Sequence, residues 1–102
     1  MAFHVTHIHG ASESDPLIES LDTLYDELNQ SDTEHPDVSV THESGWCLAA
    51  FQSGLLIWEN VEDGDPQHMR GVDREQTLRL WRLLANGNID EIVQENWLDG
   101  YG

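Results

Sequence analysis

The 102-residue chain predicts an α+β fold, with an antiparallel sheet of four to five strands carrying an N-terminal helix and two C-terminal helices. Three observations predict it. The apolar run Gly45 to Asn60, GWCLAAFQSGLLIWEN, is interrupted by Ser53-Gly54 and reads as a β-hairpin. Ile18 to Leu28 and Thr77 to Leu84 repeat apolar residues at three- and four-residue steps, the period of a helix. A chain of this length supports one core, so residues 1–102 form a single domain.

Phe3 to His9 is rich in β-branched and aromatic residues and ends at Gly10, which predicts a first strand. Alternation then points His7 and His9 the same way. Ala11 to Asp15 is a polar connector, and Pro16 opens a helix with Ser14 or Asp15 as its N-cap. Ile18, Leu21, Leu24, Tyr25 and Leu28 form the apolar stripe of that helix, while Glu19, Asp22, Asp26 and Glu27 face outward. Asn29 to Asp37 is a loop.

Val38 to His42 alternates as a strand, and the turns Ser44-Gly45 and Ser53-Gly54 make a three-stranded meander over 38–60. With two-residue loops, Val40 and Trp58 face Ala49, and Val38 and Leu56 face Phe51. Trp46, Leu48, Leu55 and Ile57 then lie on the other side. Both faces are apolar in that register, and Trp46 and Trp58 point in opposite directions.

Asn60 to Gln67 is an acidic loop with Glu62, Asp63 and Asp65. It lacks the alternating ligands and distal glutamate of an EF-hand. His68 to Val72 reads as a short edge strand. Asp73 caps a helix that ends at Gly87, with Gln76 placed to reach back and Glu75 paired with Arg79. Asn88 caps a last helix in which Ile89, Ile92, Val93 and then Trp97 share a face. Leu98 to Gly102 is a loose tail.

Charge is the strongest compositional signal. Twenty Asp and Glu stand against four arginines and no lysine, a net charge of −16, and the arginines all lie between Arg70 and Arg82. Such a field repels nucleic acid and anionic membrane and attracts basic proteins. No membrane-spanning run or N-terminal leader is visible, so a cytoplasmic protein is expected.

Cys47 is the single cysteine, which excludes a disulfide framework. No nucleophile-elbow, phosphate-loop, dinucleotide or zinc-protease motif occurs, so neither catalysis nor a cofactor is expected. His42 lies opposite Cys47 in the register above, within reach of activating a thiol, although a buried cysteine near a turn histidine is the expected reading. His7 and His9 offer the alternative of a small metal-binding protein.

The order strand, helix, strand meander, helix, helix, with its acidity and tryptophan-rich sheet, resembles the small acidic immunity proteins of bacterial polymorphic toxin systems. The resemblance covers architecture and composition and carries over no individual residue's role. It implies a non-enzymatic inhibitor whose carboxylates cover the basic active site of a nuclease-like toxin. The residues expected to bind a partner are Glu19, Asp22, Asp26, Glu62, Asp63 and Asp65 for charge, with Trp46, Leu48, Ile57 and Trp58 as apolar anchors. A homodimer through the sheet is the other interaction the pattern allows.

Overall fold

Strand pairing in the computed structural model, which describes residues 3–32, 34, 36–62 and 65–101, joins seven strands in one antiparallel sheet. They are β1 (Phe3–Thr6), β2 (Ser12–Ser14), β3 (Asp37–His42), β4 (Trp46–Phe51), β5 (Leu56–Asn60), β6 (Gln67–Met69) and β7 (Leu98–Asp99). Their spatial order is β2-β1-β3-β4-β5-β6-β7. The helices are α1 (Ser20–Asp26), continued by a 3-10 turn at Glu27–Gln30, α2 (Arg74–Ala85) and α3 (Ile89–Val93).

Two glycines set the central register. Gly45 (φ 95°) donates its N–H to the His42 carbonyl at 2.9 Å, and Gly54 (φ 90°) donates to Phe51 at 3.1 Å. Each is the left-handed last residue of a three-residue loop, Glu43-Ser44-Gly45 and Gln52-Ser53-Gly54. The expected two-residue loops are therefore wrong, and pairing moves by one residue at each turn. Val40 faces Leu48 and Val38 faces Ala50. Leu48 faces Trp58, and Ala50 faces Leu56. The first shift turns β4 over relative to β3 and the second turns β5 back, so only β4 differs from the expected facing.

That single inversion separates the faces. Phe3, Val5, Val38, Val40, Leu48, Ala50, Leu56 and Trp58 share one buried cluster with Leu21, Leu24, Leu80, Trp81, Leu84 and Ile92 of the helices. All the helices thus pack on the same face. Trp46 and Trp58 are neighbours on it, stacked at 4.6 Å and 8°, and Trp97 stacks on Trp58 at 6.0 Å and 17°. Trp81 Nε1 donates to the Leu48 carbonyl at 2.9 Å, so a buried polar atom also ties α2 to β4.

The helix α2 forms as its local signals dictate. Asp73 is extended and its carboxylate accepts from Gln76 N at 2.9 Å. Gly87 (φ 78°) ends the helix by donating to Leu84 O at 2.9 Å. Gln76 does not reach back to Asp73, because its amide donates to Glu95 at 3.1 Å. Glu95 also takes Arg79, at 3.0 Å, in place of the expected Glu75.

Other expectations give way. The sheet gains β2 and β7, edge strands of three and two residues, too short to show a period. The tail accordingly joins the sheet, with Gly100 N donating to Pro66 O at 2.9 Å, and β6 is an inner strand. The first strand stops at Thr6, since Gly10 N donates to His7 O at 2.8 Å and turns the chain. The helix α1 begins at Ser20 rather than Pro16, and neither Ser14 nor Asp15 caps it. Asp15 sits in the left-handed region (φ 47°), and its carboxylate accepts from Phe3 N at 2.9 Å.

Candidate functional site

Three of the four arginines are engaged inside the helical layer. Arg74 makes a two-pronged pair with Asp26 (3.1 and 3.4 Å), and Arg82 pairs with Asp22 at 3.1 Å, clipping α2 to α1. Arg79 pairs with Glu95 at 3.0 Å and clips α2 to the segment after α3. Asp22 and Asp26, expected to meet a partner, are therefore partly neutralised. Glu19, Glu62 and Asp65 are exposed, and Asp63 lies outside the described residues.

The expected apolar anchors lie mostly inside. Leu48 (0% exposed) and Trp58 (1%) belong to the core under the helices, so neither offers surface to a partner. Trp46 is half-buried against Trp58. Ile57 alone of the four sits on the opposite face, 5% exposed, between Ala49 and His68 in register.

That opposite face is a candidate site which sequence reasoning assigned to the wrong residues, because it followed from the inverted β4. One row across it runs His4, Thr41, Cys47, Glu59, and a second runs Thr6, Ser39, Ala49, Ile57, His68, Leu98. Asp37 and Phe51 pair at its end. Ser39, Cys47 and Ala49 at its centre are short, and Asp37, Ser39, Cys47, Ala49, Phe51 and Glu59 are half-buried while the helices of the buried cluster pack on the other face. The tail crosses β6 and reaches β5 on this face: His68 Nδ1 donates to the Gly100 carbonyl at 3.0 Å, and Tyr101 donates its hydroxyl proton to Glu59 at 2.9 Å.

Burial pushes the Asp37 carboxyl above its ordinary value, and among the described residues no side chain or backbone N–H pairs with it. Burial likewise pushes the Cys47 thiol up. Hydroxyl hydrogen bonds from Thr41 and Ser39 oppose this, while Glu59 and Asp37 reinforce it. The thiol is thus held protonated, the reverse of an activated nucleophile. His42 cannot help, because Thr41 and not His42 faces Cys47. His42 points to the helical side, where its Nδ1 accepts from Ser44 N (3.1 Å) and lies 2.9 Å from Ser44 Oγ.

The strand expected to carry His7 and His9 on one face ends at Thr6. His7 lies beyond β1, with Nδ1 2.7 Å from Glu27 and Nε2 3.0 Å from Glu13, and Glu27 also accepts from Ile8 N at 3.0 Å. The Glu27 hydrogen bond, then that of Glu13, raises the His7 pKa, since both ring nitrogens must carry protons to donate to both carboxylates. Among the described residues no three His, Cys, Asp or Glu side chains gather as a metal-holding group. A cavity of about 160 Å³, lined by Phe3, His4, Ser14, Asp15 and Glu43, lies at the start of β1.

Among the described residues no helix is long and apolar enough to cross a membrane. Compared with protein families, with curated proteins and with solved structures, the chain matches none.

Proposed function

We propose that this chain is a non-enzymatic acidic binding domain for a basic protein, acting as an inhibitor in the manner of the immunity proteins it resembles. The observation that carries the reading is the disposition of the arginines. Arg74, Arg79 and Arg82 hold helices together through Asp26, Glu95 and Asp22. Twenty Asp and Glu against four arginines leave a net charge of −16, a field these pairs offset only locally. Such a field steers a cationic partner and repels nucleic acid competing for the same active site. The protonated Cys47 and the His42 on the other side of the sheet agree with a binding rather than a catalytic role.

The test is stopped-flow association with the basic product of a neighbouring reading frame, read as ionic strength rises from about 0.05 to about 0.5 M. A steered complex loses association rate by tenfold or more over about that range. Binding without salt dependence, or to a partner of acidic surface, would sink the reading. A homodimer is the second reading, favoured by the half-buried Ala49 and Phe51 on the helix-free face of the sheet. Sedimentation at several concentrations distinguishes it.

A further inference from the structure

We infer that the partner docks on the helix-free face of the sheet, over Ser39, Cys47, Ala49 and Phe51, and that its basic side chains pair with Asp37 and Glu59. The inference rests on the function proposed above and locates it. Three features converge on this face. It is partly apolar, and the helices pack on the other face, leaving Ser39, Cys47, Ala49 and Phe51 half-buried. Its Asp37 carboxylate is half-buried yet unpaired among the described residues, an arrangement that costs stability until a cation arrives. At the diagonal position, Glu59 accepts from the Tyr101 hydroxyl.

Charge chooses the occupant. A second copy of the chain would set a face carrying Asp37 and Glu59 against an identical acidic face, between bodies that each carry a net charge of −16. A surface mixing lysine or arginine with apolar side chains satisfies the carboxylates and covers Ala49 and Phe51 together. The alternative acidic surface, on α1, already has its Asp22 and Asp26 occupied by Arg82 and Arg74.

The full chain, labelled with nitrogen-15, is titrated at low salt with an amphipathic lysine-leucine helix of about fourteen residues, and with its glutamate-leucine counterpart as control. The expected result is amide shift changes centred on Ser39, Cys47, Ala49 and Glu59, slower alkylation of Cys47, and no effect of the control peptide. The D37N/E59Q variant should bind the lysine peptide about tenfold more weakly. The single D37N variant should melt no lower than the parent, because among the described residues Asp37 has no native pair to lose, whereas Glu59 accepts from Tyr101. Shifts centred on Glu19 to Asp26, on the loop before Pro66 or on the sheet edges β2 and β7 would overturn this location and leave the acidic-binding reading standing. No binding of the cationic peptide at low salt would overturn both. A dimer that protects Cys47 without peptide would replace the basic partner with a second copy.

Discussion

Gly45 shows how one backbone position commits the whole sheet. At φ 95° it closes the three-residue loop, and a Cβ placed there would stand 2.9 Å from Asn60 Oδ1. That oxygen accepts from Glu62 N at 2.9 Å, so the clash falls on an atom already in use. Gly45→Ala should therefore cost roughly 1–3 kcal/mol, combining left-handed strain with displacement of Asn60. Urea unfolding measures it, and a midpoint equal to the parent's would refute the account. Ser44-Gly45 and Ser53-Gly54 were legible as turns because glycine is the residue that adopts positive φ freely. Loop length was not legible, since the same dipeptide closes a two-residue or a three-residue loop. Trp46, Leu48, Ala49 and Phe51 were misplaced for that reason alone.

Among the elements, β1, β2 and α1 are held together by His7, whose ring lies between Glu13 of β2 and Glu27 just after α1. Its pKa is raised in the folded state, chiefly by the Glu27 hydrogen bond and next by that of Glu13. The folded form thus binds the proton more tightly than the unfolded chain. The resulting stability is complete below the ordinary imidazole value of 6.5 and is lost as pH rises through the higher folded value. Replacing His7 by Gln should destabilise most near pH 6 and least near pH 9, by less than about 1 kcal/mol because the ring is partly exposed. Urea midpoints of parent and variant at the two pH values test this, and a difference independent of pH would exclude the imidazolium. Helix α2 was readable because Asp73, Gly87 and a stripe from Thr77 to Leu84 are all local signals. The strands β2 and β7 were not, because they exist only through pairing with β1 and β6.

At the scale of the molecule, the net charge of −16 opposes compactness, and three arginine pairs offset that repulsion only locally. Added sodium chloride screens both, and the repulsion outweighs the attraction because carboxylates outnumber arginines by twenty to four. The thermal midpoint should rise between about 0.01 and about 0.3 M salt, over which the Debye length falls from about 30 Å to below 10 Å. Circular dichroism melts record it, and a falling midpoint would show that the arginine clips dominate. Composition and short-range pattern were enough to establish the α+β class, the acidity, the central meander and α2, because charge, capping and periodicity act within a few residues. Tertiary packing alone decided that Trp46 and Trp58 stack on the same side, that Asp22 and Asp26 are paired, and that Cys47, Ala49 and Ile57 form the face left without helices. Each of these depends on strand register or on contacts between distant segments, and one residue in each of the Gly45 and Gly54 loops separates the expected sheet from the observed one.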